Sequence, residues 1–497
     1  MSGRSDSRPL DQATTSSLDA LKAFTEGRRL QWQKGDAASV PLHERAVELD
    51  PTFARAHAAL GMARFNLRDY SAAAAEFTKA FELRTRVSER ERYYIESAYY
   101  GLATGQLPKA LDSYRQWTAA FPDDYIPFAN LPLVAVPLGE YDTAAEAARE
   151  AVRLAPDSGT GYANLADALI GLDRLADAKA ICERAVARHV DGRYLHLQRY
   201  QVAFLEGDGR AMEQEVEWGR KHADSSVDLL WSESQTAASA GKLELARSVA
   251  QRARQVSVSA GDAEQAAHVL AVEAERDAEM GDSGRARQEA DRALAEMSGR
   301  DEIIVAAVTF ARAGEGARAE ALADELGRRH AADTIIQNYW RPAIRAAVAL
   351  QRRDARGAIE ELRQALPYEL GDQGDCVMIP VYLRGLAYLQ DGRGAEAAAE
   401  FSKILSHRGV VRNSPLFPLA RLQLARAQVL AADVTAARKS YDEFLEAWKD
   451  ADAALPLLAE ARSERRRLQR TKAGAPVRGG RSGGSGAAAS HGRYEQQ

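Results

Sequence analysis

One pattern constrains this chain more than any other: paired amphipathic helices that recur at a spacing of about 34 residues. Its clearest copy is ARAHAALGMARFNLRDYSAAAAEFTKAFEL, residues 54–83. Leu60, Gly61 and Met62 lie on the first helix, and Asp69, Tyr70 and Ser71 sit at the turn. Ala73, Phe77 and Ala80 follow on the second helix, spaced four and then three apart, so they share one face. Small residues at Gly61, Ala73 and Ala80 let the two helices approach closely, and Tyr70 and Phe77 are expected to fill the space between them. Neither helix can bury its apolar face alone, so neighbours of the same kind must stack on it.

A chain of 497 residues exceeds what one compact core usually holds. A stacked array escapes that limit because each unit needs only its neighbours. Alanine is abundant, proline is sparse at 16 and β-branched runs are rare, a composition that favours helix. The net charge of -5 is small for this length and argues against a nucleic-acid binder. Cys182 and Cys376 stand far apart without CxxC or Cys/His spacing, which argues against a disulfide framework and a structural zinc site. No apolar signal region and no run of about 18 apolar residues occurs, so a cytoplasmic protein without a membrane segment is expected.

Residues 1–16 are polar and read as a disordered leader. Five units then follow in phase over 17–192: about 20–53, 54–83, 91–124, 125–158 and 159–192, with a spacer RTRVSER between the second and third. Pro132 and Pro137 should kink or shorten the first helix of the fourth unit. Over 193–370 the pattern is more divergent, with turn residues Gly207, Gly241, Gly281 and Gly314 and a second helix at Asp354–Leu366. It sharpens over 371–470, through Gly385, Gly392, Ala397, Phe401, Ala437, Tyr441 and Phe444. A last helix, about Leu455–Gln469, reads as a cap over the final unit, and 471–497 as a flexible Gly/Ser/Ala tail.

At matching positions the five units resemble the tetratricopeptide repeat (TPR) family, whose pattern is an aromatic, Leu-Gly, Tyr, and then Ala, Phe, Ala and Pro. Tyr162 and Leu165, Leu60-Gly61, Ala73, Phe77 and Ala80, and Pro51, Pro122 and Pro156 carry the match. The resemblance implies an all-α TPR superhelix, an α-solenoid of about twelve helical hairpins with a C-terminal capping helix. Residues 14–470 also resemble, more narrowly, the TPR-rich C-terminal regions of bacterial receptor-type serine/threonine kinases and related transcription regulators. SLDALKAFTEGRRL, VSERERYYIESAYY, TIIQNYWRPAIRAAVAL, ALPYELG and YDEFLEAWKDAD carry that likeness. The kinase motifs themselves are missing: no glycine-rich loop followed by a strand lysine, no HRD and no DFG.

Catalytic and cofactor readings find little support. The nine histidines form no HExxH and no pair at ligand spacing on one helix. His43 and His57 fall where interhelical packing is wanted, and Cys182 occupies the repeat position of Phe77 and Tyr114, as a buried thiol would. Gly159-Thr160-Gly161 reads as a loop rather than a phosphate cradle. The basic run Arg462, Arg465, Arg466, Arg467, Arg470 and Lys472 reads as a solvated helix end. Among Tyr93, Tyr94, Tyr99 and Tyr100 some must be core. No enzyme, cofactor or metal is expected.

The TPR resemblance assigns the concave face by register: Arg28 and Trp32 in the first unit, Arg55, Met62, Phe65 and Asn66 in the second, and Arg92, Ile95 and Tyr99 in the third. Asn130 and Asn164 share a position that resembles the asparagine ladder of some TPR superhelices, and a helix-surface role competes with that reading. Arginine and aromatic side chains together suit capture of a peptide. The expected function is a non-catalytic protein-interaction scaffold that takes a protein or peptide partner on its concave face. A regulatory subunit serving a kinase or transcription regulator, and a self-assembling structural protein, stand as alternatives; no nucleic-acid partner is expected.

Overall fold

The computed structural model describes residues 15–67, 69–374 and 377–473, without the side chains of 223–225 and 470–473. Expectations for residues 1–14, for Cys376 and for 474–497 lie outside the described residues. Among the described residues there is no strand, and the helices pair in sequence into twelve hairpins. Hairpins 1 to 3 are Leu18–Lys34 with Asp36–Leu49, Ala54–Asn66 with Tyr70–Glu82, and Glu89–Ala98 with Leu107–Ala120. Hairpin 4 pairs a broken first helix with Tyr141–Leu154, and hairpins 5 and 6 are Gly159–Gly171 with Leu175–Ala187 and Arg193–Glu206 with Gly209–Lys221. Ala223–Ser239 with Leu243–Ser259, Ala263–Glu279 with Ser283–Glu296, and Arg300–Arg312 with Gly316–Arg329 form hairpins 7 to 9. Arg341–Gln351 with Ala355–Glu361, Ile379–Gln390 with Gly394–Ser406, and Leu416–Leu430 with Val434–Ala447 form hairpins 10 to 12, and Pro456–Ala473 caps the last.

Local chemistry explains many of the described turns. The residue two places before the second helix adopts positive φ: Gly207, Gly241, Gly281, Gly314 and Gly392 fill it at 75°, 73°, 95°, 95° and 77°. Glycine suits that place because it has no Cβ to crowd the left-handed backbone. The next residue often caps the helix: the carboxylates of Asp208, Asp282, Asp354 and Asp433 accept from the N–H three residues on. Inside three hairpins a first-helix glycine lies under a second-helix ring sixteen positions later. A Cβ on Gly27, Gly61 or Gly385 would come within 2.8, 2.9 or 2.7 Å of His43, Phe77 or Phe401. Alanine faces such as Ala144, Ala148 and Ala151 then pack neighbouring hairpins with almost no exposure.

Several expectations need correction. Tyr70 does not fill the interhelical space; it is 40 % exposed at the turn and lies against Phe65, with ring centroids 5.2 Å apart. The leader ends earlier than residue 16, because Thr15 is buried and its hydroxyl donates to Asp50. At the other end the capping helix runs to Ala473, past the expected start of the tail. Gly159 and Gly161 form the first turn of the helix that this pair was expected to open, with Gly161 set against Val152. Pro132 and Pro137 divide their helix into Tyr125–Asn130, Pro132–Ala135 and a 3-10 turn Val136–Leu138. Leu362–Tyr368 tightens into a 3-10 helix where a regular second helix was expected.

Beyond neighbour packing, the array closes on itself. The turns of hairpins 3, 4, 5 and 7 meet the loops that follow hairpins 9, 10, 11 and 12. The Thr334 N–H donates to Gly105 O at 2.9 Å, and the Asp372 N–H to Val136 O at 3.2 Å. The Gly409 N–H donates to Asp173 Oδ1 at 2.6 Å, and Asp452 N–H to Gly241 O at 3.0 Å. Arg412 pairs with Asp167 at 2.7 Å and with Asp372 at 3.6 Å. Asn413 donates to Ser232 O at 2.9 Å, and the Trp448 indole to Ser239 O at 3.1 Å. The second superhelical turn therefore sits directly on the first, along a seam that runs from hairpin 3 to hairpin 7.

At three turns the positive-φ place is held by other residues: Asp173 at 56°, Arg353 at 63° and Ala432 at 63°. Ala432 is exposed, so its side chain gains nothing there to offset the left-handed backbone. Ala432→Gly is expected to raise unfolding stability by about 0.5–1 kcal/mol. Guanidinium denaturation checks it; a destabilised variant would refute this account of the turn.

Candidate functional site

The residues assigned to the concave face begin on the first helices of hairpins 1 to 3. Arg28 is exposed and donates to Gln31 Oε1 at 2.9 Å. Gln31 donates in turn to Asp36 Oδ1 at 2.6 Å, and Asn66 reaches Asp36 Oδ2 at 3.2 Å, so hairpins 1 and 2 share one polar chain. Arg55 is half-buried, with its guanidinium carbon 4.1 Å from the centre of the Tyr94 ring. That is the geometry of a cation over an aromatic face. Its Nη1 is buried without a hydrogen-bond partner. Trp32, one turn beyond Arg28, is 92 % exposed.

The charge of this patch differs from that of the rest of the array. First-helix arginines elsewhere are matched by carboxylates: Arg64 by Glu44 at 2.8 Å, Arg199 by Glu215 at 2.9 Å, and Arg312 by Glu279 at 2.6 Å. Arg384 meets Glu369 at 2.7 Å and Glu400 at 2.6 Å. Neither Arg28 nor Arg55 has a carboxylate in ion-pair contact among the described residues. His43, wholly buried beneath them with both ring nitrogens unpartnered, is pushed down to about 4 by burial, then by Arg28 and Arg55.

The remaining assigned residues are more engaged with the fold. Phe65 packs on Tyr70. Arg92 is exposed and lies 3.7 Å from Glu89, with its guanidinium over Tyr93. Tyr99 is half-buried in a π-helical turn, Tyr99–Ala103, and stacks on Phe81 at 3.8 Å. Asn130 interacts with the Tyr114 hydroxyl. Asn164 donates to Ala129 O at 2.8 Å and so ties hairpin 5 to hairpin 4. The structure thus brings Arg28, Arg55 and Asn66 together near Trp32 and leaves Asn130 and Asn164 two and three hairpins beyond hairpin 2. Sequence reasoning missed Gln31, Asp36, His43 and Tyr94 as members of this patch. Of the four tyrosines, Tyr93 and Tyr94 are the buried pair, and only the fold shows which one carries Arg55.

Other titratable groups carry less. Glu273, raised to about 7 by burial, and the similarly raised Glu289 sit in a buried net with Arg247, Arg276, Asp277 and Arg285. Arg276 donates to Ser234 at 3.0 Å, and the Arg285–Asp277 and Arg285–Glu289 pairs are 2.9 and 2.7 Å. This net joins hairpins 7 and 8. The buried pairs His57–Glu76 and His196–Glu215, each 2.5 Å, recur at the same repeat position in hairpins 2 and 6, as interhelical packing. Cys182 lines a cavity of about 360 Å³ between hairpins 5 and 6, and burial pushes its thiol up to about 12. No described helix is long and apolar enough to cross a membrane.

Family models for tetratricopeptide repeats match residues 54–86 and 138–199, within hairpin 2 and across hairpins 4 to 6. No curated protein matches the sequence. Solved structures similar to this chain include yeast Tom70, at 13 % identity, covering 85 % of this chain and 96 % of that one, with a TM-score of 0.34. A tetratricopeptide repeat protein from Parabacteroides merdae matches at 12 % identity over 59 % of this chain and 100 % of that one, TM-score 0.33. A human IFIT1 dimer with PPP-AAAA matches at 14 % identity over 88 % and 92 %, TM-score 0.37.

His43 holds the place that Phe77 and Phe401 hold in their hairpins. Its folded pKa lies below the ordinary 6.5, so the unfolded chain binds a proton that the native ring refuses, and stability falls as pH drops from about 6.5 towards 4. His43→Phe is expected to remove that loss, about 1–2 kcal/mol between pH 7 and pH 5. Urea titrations at the two pH values measure it, and an unchanged pH slope would refute it.

Proposed function

We propose that this tetratricopeptide-repeat array is a non-catalytic scaffold that captures an extended segment or helix of a protein partner on its concave face. The proposed strip runs from Arg28 and Trp32 through Arg55, Phe65, Asn66, Arg92 and Tyr99 to Asn130 and Asn164, with its centre in hairpins 1 and 2. One observation carries the reading: Arg28 and Arg55 keep guanidiniums without carboxylates, beside an exposed Trp32, in an array whose other first-helix arginines are matched. Guanidinium supplies bidentate contact to a partner carboxylate, and an indole supplies flat apolar area at small entropic cost. The narrower resemblance of residues 14–470 directs the same surface to a serine/threonine kinase or transcription regulator in the cytoplasm. Co-purification of such a protein would support that finer reading.

Affinity purification of the full chain, followed by mass spectrometry, tests the face. A variant carrying Arg28→Ala, Trp32→Ala and Arg55→Ala should keep its helicity, because two of the three side chains are exposed. It is expected to lose the partner that the unaltered chain recovers, by about tenfold or more if these residues are hot spots. Undiminished recovery by a folded variant would sink the assignment.

A further inference from the structure

Two junctions of the array share one register, and one of them lacks a side chain that the other has. In hairpins 2 and 6 a first-helix histidine pairs with a second-helix glutamate 19 residues on, His57 with Glu76 and His196 with Glu215. That shared pair aligns the two junctions residue by residue. Asp69 and Asp208 cap their second helices alike, by accepting from the N–H of Ala72 and of Ala211. In the preceding hairpins Val47 then corresponds to Val186. At the first junction Arg64 of hairpin 2 reaches back to hairpin 1, and its guanidinium meets Glu44 at 2.8 Å and Glu76 at 3.7 Å. At the second junction both carboxylates are kept, as Glu183 and Glu215, but Ala203 stands in the place of the arginine. Cys182 likewise stands where hairpin 1 has the larger His43. The cavity of about 360 Å³ between hairpins 5 and 6 lies at this point, lined by Cys182, Glu183, Ala203 and Glu215 among others.

The cavity has a buried, largely apolar floor made by Cys182, Val202 and Ala203. Its exposed lining residues, Glu183, Val186 and Glu206, mark the open side. Most of its charges are already matched. Glu215 is engaged by His196 at 2.5 Å and Arg199 at 2.9 Å, and Glu206 by Lys179 at 2.8 Å. Glu183 is the carboxylate left over, without an ion pair among the described residues. In all, the carboxylates of Glu183, Glu206, Asp208 and Glu215 line the cavity against the cations of Lys179 and Arg199. An apolar wall under a negative rim fits a cation carried on an aliphatic stem.

We propose that this cavity is a second binding site, which takes an arginine side chain of a protein partner. The guanidinium meets Glu183 as Arg64 meets Glu44, and its methylenes lie along Val186 and Val202. Arginine suits the place better than lysine, because its planar fork bonds a carboxylate with two N–H groups. The open side lies beside exposed helix residues, so the side chain is delivered by a partner chain lying on the surface. This site is independent of the arginine face of hairpins 1 and 2, and it takes the opposite charge: hairpins 1 and 2 offer guanidinium, and hairpins 5 and 6 accept it.

Methyl-labelled full-length protein tests the site by nuclear magnetic resonance, with acetyl-Ala-Ala-Arg-Ala-Ala-amide as the probe. The peptide is expected to shift the methyl signals of Val186, Val202, Ala203 and Ala211 saturably. The same peptide with citrulline for arginine keeps the shape without the charge, and it should bind roughly threefold or more weakly. Glu183→Gln should weaken the arginine peptide by a similar factor. Ala203→Arg supplies the missing guanidinium from within the chain, and it should abolish the shifts at unchanged far-ultraviolet helicity. No saturable shift at those methyls in the unaltered chain would overturn the site. Equal binding of the citrulline peptide, or undiminished binding to Glu183→Gln, would overturn its reading as a guanidinium site, and these two arms decide the matter even where Ala203→Arg does not fold. A response to n-propylguanidinium without one to the arginine peptide would overturn the protein source of the ligand.

Discussion

Each hairpin of this molecule has apolar surface on both sides, and that requirement for two neighbours organises everything else. Phe77 over Gly61 closes a hairpin internally, but Ala54, Ala58 and Ala80 on the same unit are buried only because hairpins 1 and 3 stand beside it. Alanine contributes little apolar area per residue, so many residues must be covered before the entropy of ordering two helices is offset. The ends are where such an array is exposed. At one end Thr15 is drawn onto Asp50; at the other Leu458 and Ala461 of the capping helix are buried against hairpin 12, while Arg465 pairs with Asp442 on its outer side. The capping helix thus turns one neighbour-seeking face into a polar surface.

Closure adds a second, independent constraint. Neighbour packing sets the rise and rotation from one hairpin to the next, and the accumulated rotation brings hairpin 3 against the loop after hairpin 9. Small irregularities adjust that rotation: the proline-broken helix of hairpin 4, the π-helical turn Tyr99–Ala103 and the 3-10 helix Leu362–Tyr368. Two of these lie at the seam itself. Val136 and Pro137 supply carbonyls to Asp372 and Gln373, and the loop just after Tyr368 supplies Leu370 O to the Tyr141 hydroxyl. Departures from the regular repeat therefore coincide with the places where two superhelical turns must meet.

The hairpins were legible in the sequence because their signals are local. The offset of sixteen between Gly61 and Phe77, the turn glycines and the aspartate caps all fall within one repeat, and the turn glycines and aspartate caps survive in the divergent stretch from 193 to 370. The seam was not legible for the opposite reason. Asp173 and Gly409, or Asp167 and Arg412, are separated by 236 and 245 residues, and nothing periodic links them. The candidate face stands between. Register names Arg28 and Arg55, but whether an arginine meets a carboxylate depends on side chains contributed by neighbouring helices. Asn164 shows the limit: its position matches Asn130, yet its amide is spent on Ala129 O within the array.

The first two hairpins hold some of the exposed large apolar residues. The described seam contacts begin at Gly105 of hairpin 3, so the turn edges of hairpins 1 and 2 extend beyond it. On a covered edge Tyr141 is buried, at 5 % exposure, with its hydroxyl bonded across the seam. On the uncovered edge Trp32, Leu67 and Tyr70 remain 92 %, 46 % and 40 % exposed. The same two hairpins hold the arginines left without carboxylates. Large aromatic area and unmatched guanidinium charge are both costly features to leave in water unless a partner covers them. Their coincidence on the hairpins that precede the described seam is the physical argument for the recognition face proposed above.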